Sequence, residues 1–201
     1  MDLVRVTKKS QKSFLISLSP PQSDGIYLHA IDPPSTLFLS PAGTDEKVAY
    51  LIEKQNFDGA FNYKTEDTRT ALARLAPKGI DYYYDTVGGE VLDTVLEVIN
   101  AKGKILSVGM VSQENGEEAY PIRNLKLIAV RGVSIHGFIY WHHVQYFENG
   151  DLDATVRPLL ERKQINYRQE VFDGIENAPE HFVNMLDGKY AGKVVIKIAD
   201  L

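Results

Sequence analysis

The sequence predicts an α/β protein with a parallel sheet flanked by helices, and three observations carry that prediction. Ile80-Asp81-Tyr82-Tyr83-Tyr84-Asp85 is an apolar, aromatic-rich run that ends in an acidic residue and then the pair Gly88-Gly89. That is the pattern of a buried strand and the turn after it. Val91, Leu92, Val95, Leu96, Val98 and Ile99 then recur at helical spacing, and Gly103-Lys104-Ile105-Leu106-Ser107-Val108-Gly109 follows as a second strand. Strand, turn, helix and strand in so short a stretch make a βαβ unit. Ligands of such sheets lie beyond the carboxyl ends of the strands. Residues 85–88 and 107–112 therefore share the edge where a site is expected.

Residues 1–40 differ from the rest. Lys8, Lys9 and Lys12 are followed by Pro20, Pro21, Pro33 and Pro34, with Pro41 close behind. Prolines at this density interrupt helices and central strands. The segment reads as an unassigned, partly disordered arm, although Phe14-Leu15-Ile16 and Leu37-Phe38-Leu39 are each apolar enough to add a strand.

From residue 42 onward helices and strands alternate. Thr44 is a good N-cap, with Asp45 and Glu46 in the first turn and Val48, Leu51 and Ile52 as the apolar stripe. A strand near 59–63 and a helix over 65–76, stopped by Pro77-Lys78-Gly79, lead into the βαβ unit. After a polar loop, Pro121 marks a helix start that Leu125, Leu127, Ile128 and Val130 continue. There follow a strand over 132–139 and a helix over 152–164 with Val156, Leu159 and Leu160 inward. A strand over 167–172, an amphipathic helix over 175–186 and a closing strand over 192–198 complete the chain.

Composition excludes several classes. At 201 residues and 44% hydrophobic, the chain can bury a substantial core. A net charge of −5 without a dense basic run argues against a nucleic-acid partner. The absence of cysteine removes disulfides, thiolate zinc sites and cysteine nucleophiles together. No apolar run reaches bilayer-spanning length and no signal-peptide pattern opens the chain, so the expectation is a cytoplasmic protein without a membrane partner. His136, His142 and His143 invite a metal site. Adjacent histidines diverge on a strand and stand about 100° apart on a helix, and no carboxylate pair lies at ligand spacing beside them. They read as solvated or hydrogen-bonded, with no metal.

Five segments occur in one order: Ala42-Gly43-Thr44-Asp45-Glu46-Lys47, Phe57-Asp58-Gly59-Ala60-Phe61-Asn62-Tyr63-Lys64, Asp85-Thr86-Val87-Gly88-Gly89, residues 103–109, and Gly192-Lys193-Val194-Val195-Ile196-Lys197. Together, over residues 41–201, they resemble the C-terminal portion of zinc-independent medium-chain dehydrogenase/reductases. The nearest branch is the prostaglandin reductase and leukotriene B4 dehydrogenase group with its double-bond reductase relatives. The resemblance implies a Rossmann-like sheet binding NADP(H). Gly43, Thr44 and Lys47 would meet the adenosine ribose, with Lys47 on the 2′-phosphate and Tyr63 beside the ribose. Val87, Gly88, Gly109 and Ser112 would line the rest of the cofactor site. Phe138, in the stretch that reaches the substrate cleft, would also be cofactor-binding, and Tyr140 would be the catalytic hydrogen-bond donor to a substrate carbonyl. Judged without the resemblance, Lys47 is a solvated helix lysine, Tyr63 half-buried core, Ser112 a loop serine and Tyr140 an exposed aromatic at a strand end.

In that family, hydride from the nicotinamide adds to an enone or enal, a small-molecule α,β-unsaturated carbonyl. Homodimers occur in the family, which leaves one open here. The departure from the pattern lies before residue 41. No G-x-G-x-x-G or A-x-x-G-x-V-G run occurs, and Gly25 is the only glycine before Gly43. The expected fold is therefore an incomplete Rossmann-like sheet. Residues 1–40 form the unassigned arm, 41–150 the partial dinucleotide-binding domain, and 151–201 a C-terminal segment that returns to a missing substrate domain. The expected function is an NADPH-dependent reductase of activated C=C bonds, truncated and impaired. The alternatives are a non-catalytic family remnant acting as an interaction protein and, more distantly, a methyltransferase.

Overall fold

A computed structural model describes residues 13–18, 36–113, 119–163 and 167–199. At its centre are six strands: β1 (Ser13–Leu18), β2 (Thr36–Ala42), β3 (Gly59–Asn62), β4 (Ile80–Asp85), β5 (Ile99–Ser107) and β6 (Ser134–Gly137). They form one sheet in the order β3-β2-β1-β4-β5-β6, and every pairing is parallel. All carboxyl ends therefore face one edge.

Residues 13–18 and 36–40, read from the sequence as part of an unassigned arm, are strands of this sheet. β1 pairs with β2 from Ser13↔Thr36 to Ile16↔Leu39 and with β4 from Leu15↔Tyr82 to Leu18↔Asp85. It is a central strand. β1 ends before Pro20, and Pro41, inside β2 and in register with Phe61 of β3, lies past the last residue paired with β1. The rest of residues 1–35 lies outside the described residues.

Helices α1 (Asp45–Glu53), α2 (Thr68–Leu75), α3 (Gly89–Val98) and α4 (Lys126–Arg131) flank the sheet. Alternation along β2 separates two cores. Leu39 joins Leu72, Ile80, Tyr83, Val95, Leu96, Ile99 and Ile105 from α2, β4, α3 and β5, while Phe38 and Ala42 join Leu51 and Phe57 around α1. Leu72, Ile80, Val95, Leu96, Ile99 and Ile105 are under 2% exposed, and a fully buried aliphatic side chain of this size contributes about 1.5–3 kcal/mol.

Two helix starts differ from the sequence expectation because acceptors outside the helix, backbone and side chain, claim the N–H groups first. α2 begins at Thr68, after Asn62 has accepted from Lys64, Thr65 and Glu66, and Asp67 caps it by accepting from the Thr70 N–H. α4 begins at Lys126 and not at Pro121, because the Asp93 carboxylate on α3 takes the N–H groups of Arg123 and Asn124 at 3.0 and 2.8 Å. Arg131 then closes α3 from outside, its Nη1 donating to the carbonyls of Leu96, Glu97 and Ile99.

Beyond the sheet come α5 (Val144–Glu148), α6 (Asp151–Glu161), β7 (Gln169–Asp173), α7 (Ala178–Leu186) and β8 (Lys193–Lys197). β7 and β8 pair in parallel as a separate two-stranded sheet. α7 presents Phe182, Val183 and Leu186 to solvent. No helix among the described residues is long and apolar enough to cross a membrane.

Candidate functional site

The strand order divides the expected site residues into three groups along the carboxyl edge. The first stands at the ends of β2 and β3. The Tyr63 N–H donates to the Ala42 carbonyl at 3.1 Å, which sets Tyr63 beside Gly43. A Cβ on Gly43 would lie 3.1 Å from the Tyr63 hydroxyl, so the glycine admits the ring. Thr44 caps α1 by accepting from the Lys47 N–H, as expected. Lys47 is not the solvated lysine of the local reading. The residue is 8% exposed, and its Nζ donates to the Gly188 carbonyl at 3.2 Å, between α7 and β8.

The second group is a turn zipped to a loop at the ends of β4 and β5. Gly88 has φ +67° and ψ −151°, backbone open in practice only to glycine. Asp85 holds this turn. Its Oδ1 accepts from the Tyr83 hydroxyl at 2.8 Å, the Val87 N–H at 3.2 Å and the Gly88 N–H at 2.8 Å. Its Oδ2 is buried without a partner. Burial raises the Asp85 carboxyl above its ordinary range, against those three donors, which favour the carboxylate. Burial, then the neighbouring Asp85, pushes the Tyr83 phenol well above its usual range.

The loop side is closed just as fully. Val108 and Gly109 donate to the Asp85 carbonyl, Val111 to Thr86, and Ser112 to Val87, while the Ser112 hydroxyl donates to the same Val87 carbonyl. Val87, Gly88, Gly109 and Ser112 are thus brought together, with Met110 packed against Gly88. Because these N–H groups are spent internally, the turn offers shape and apolar contact more than donors for a phosphate.

The third group lies past β6. The Phe138 N–H donates to the Ser107 carbonyl at 2.8 Å, and its ring stacks on His143 at 4.7 Å. Tyr140 is 42% exposed and meets Trp141 and Phe147 edge-on. Phe138 sits beside the second group through β5, whereas Tyr140 belongs to an exposed aromatic cluster. Among the described residues no set of three or more His, Asp or Glu side chains comes together to hold a metal.

Reasoning from sequence missed two polar hubs, Asp85 as the acceptor of the turn and Asp93 as the anchor of 123–124. Asp85 had a signal, an acidic residue closing an apolar strand just before a glycine pair. Asp93 had none, since its partners stand 30 and 31 residues away.

Comparison with known proteins matches this arrangement. The family described as zinc-binding dehydrogenase matches residues 41–157. A zinc-type alcohol dehydrogenase-like protein of Schizosaccharomyces pombe is 42% identical over 162 residues, covering 81% of this chain and 46% of that protein. The chain belongs to the medium-chain dehydrogenase/reductase superfamily, in its zinc-independent, double-bond reductase branch. An NADP(+)-dependent 2-alkenal reductase of Nicotiana tabacum is 37% identical over 166 residues, covering 80% of this chain and 47% of that protein. CurA from Vibrio vulnificus, solved in complex with NADPH, superposes with a TM-score of 0.80 at 24% identity, over 96% of this chain and 59% of that one. This last likeness concerns the fold. The chain spans about half the length of the curated relatives it matches.

The residues can be tested against a dinucleotide. The β2–α1 end fits an adenosine, with a tyrosine ring, a glycine beside it and a lysine. The β4 and β5 turns fit a flat ring against a rigid, largely apolar surface. A diphosphate joining the two would cross the carboxyl end of β1. Residues 19–35, outside the described residues, hold in sequence four prolines, which have no N–H, the anionic Asp24 and Asp32, and a single glycine. Such a sequence supplies fewer donors than a glycine-rich loop.

Proposed function

We propose that this chain is the nucleotide-binding half of an NADPH-dependent reductase of activated C=C bonds, acting on an α,β-unsaturated carbonyl. The observation that carries the reading is the pairing of an adenosine-type group (Gly43, Thr44, Lys47, Tyr63) with a rigid turn (Val87, Gly88, Gly109, Ser112). They lie on opposite sides of the β1 carboxyl end of a β3-β2-β1-β4-β5-β6 sheet, which is where such sheets hold their ligands. The relatives named for NADP-dependent reduction support it.

The cofactor, when bound, supplies the hydride. The chain's residues orient and exclude. Tyr63 and Gly43 form a wall for the ribose, and Lys47 pairs with the 2′-phosphate. The Asp85-held turn keeps Val87 and Gly88 from yielding to the nicotinamide end. Tyr140 donates its hydroxyl hydrogen to the carbonyl oxygen as negative charge develops there. A second reading, a non-catalytic interaction protein, draws support from the four prolines in residues 19–35 and from the exposed Phe182 and Val183 of α7.

The test is a melting-temperature titration of the 201-residue chain with NADPH and with NADH, beside an assay of NADPH consumption with an enone. Ligand at 100 times its Kd adds about 2.7 kcal/mol. A larger shift with NADPH, lost in Lys47→Ala, together with turnover, supports the reductase. A shift without turnover moves the conclusion to the binding protein. No shift with either nucleotide overturns the cofactor assignment.

A further inference from the structure

Lys47 and Gly188 are 141 residues apart in sequence, yet the lysine ammonium and the glycine carbonyl are hydrogen-bonded. The contact ties α1 to the 187–192 turn that joins α7 to β8. A second tie is Arg168, at the entry to β7, which lies over the Tyr50 ring of α1 at 5.6 Å. Arg168 sits where Lys193 and Arg168 join the small sheet through the Lys193 N–H and the Arg168 carbonyl. The 187–192 turn carries Gly188 at φ +67° and Gly192 at φ +129°, backbone that favours glycine.

We propose that Lys47 is a two-position switch. It is held by the Gly188 carbonyl in the nucleotide-free fold and transferred to the 2′-phosphate of a 2′-phosphorylated adenine nucleotide. Binding then releases the 187–192 turn from α1. This rests on the reading of Lys47 as the lysine of the adenosine end. In the nucleotide-free fold Lys47 is 8% exposed and its ammonium is engaged by the Gly188 carbonyl, so a phosphate that takes the ammonium displaces that carbonyl. A phosphate dianion is the stronger partner, because its hydrogen bond to an ammonium is charge-assisted on both sides and a carbonyl's is not. Asp187 stands next to Gly188 and pairs with Lys189 of the same turn at 3.3 Å. A nucleotide with a 2′-hydroxyl lacks the dianion and leaves the turn closed.

The experiment is hydrogen exchange of the peptide spanning 187–193, in the full chain alone, with adenosine 2′,5′-bisphosphate, and with adenosine 5′-phosphate. Binding is measured in parallel by calorimetry. The reporters are the amides of Lys189, on the Asn184 carbonyl, and Ala191, on the Glu170 carboxylate. The expected result is several-fold faster exchange with the bisphosphate and no change with the 5′-phosphate. Lys47→Met should exchange fast without nucleotide and respond to neither. The wild-type comparison decides the matter even where that variant does not fold. Preferential binding of the bisphosphate with unchanged or slower exchange overturns the switch and leaves the lysine assignment standing. No preference for the 2′-phosphate overturns both.

Discussion

Replacing Asp85 by Ala tests the physical account of the β4–α3 turn. One carboxylate oxygen serves the Tyr83 hydroxyl, the Val87 N–H and the Gly88 N–H. Tyr83 is 1% exposed, and Gly88 is buried, so at least two of these donors would lose their partner out of reach of water. An unsatisfied buried donor costs about 1–3 kcal/mol. Against that loss stands a gain, because the carboxylate itself is disfavoured by burial and carries an unpartnered Oδ2. The net expectation is a loss of about 2–4 kcal/mol, a large share of the stability of an ordinary domain. Urea unfolding at neutral pH measures it. A double-mutant cycle with Tyr83→Phe should give a coupling of at least about 0.5 kcal/mol, since the two side chains are bonded.

The pH dependence provides a second check with a definite sign. The folded carboxyl lies above its ordinary value of 3.8, so between that value and the folded one the folded state binds more protons than the unfolded chain. Stability from this group therefore rises as pH falls through the window. Asp85→Asn keeps an acceptor but does not titrate, so wild type should gain on it as pH drops toward 3.8. A loss below about 0.5 kcal/mol in Asp85→Ala, or a wild-type margin over Asp85→Asn that narrows in acid, would refute the reasoning.

Two further expectations follow from backbone geometry. Gly88→Ala puts a Cβ at φ +67°, ψ −151° and 3.1 Å from the Met110 Cγ. It should cost about 1–3 kcal/mol with an unchanged urea slope, and NADPH-dependent stabilisation should weaken with it. Arg131→Ala removes a charged donor shared by three carbonyls at the end of α3. A loss of about 1–3 kcal/mol is expected, and Arg131→Lys should recover only part of it, because an ammonium on a flexible stem does not reproduce the planar guanidinium. Full recovery by lysine would show that the bonding geometry is irrelevant.

What could be read from the chain alone was what neighbours along the chain decide. The run 80–85, the helical spacing after it and the strand to Ser107 are local, and they appear within two residues of their expected ends, apart from the earlier start of β5. Thr44 capped α1 as its residue type requires. The grouping of Val87, Gly88, Gly109 and Ser112 was readable too, because one βαβ unit brings both of its strand ends to the same edge.

The tertiary structure decided the rest. β1 lies in a serine- and proline-bracketed stretch, and its place is set by ladders with β2 and β4 that no property of residues 13–18 announces. The start of α4 was settled by a carboxylate on another helix, and the ammonium of Lys47 by a carbonyl near the far end of the chain. Periodicity and capping are written in residues a few positions apart. A ladder, a buried charge or a borrowed carbonyl exists only when distant segments meet, and whether they meet depends on the whole folded arrangement.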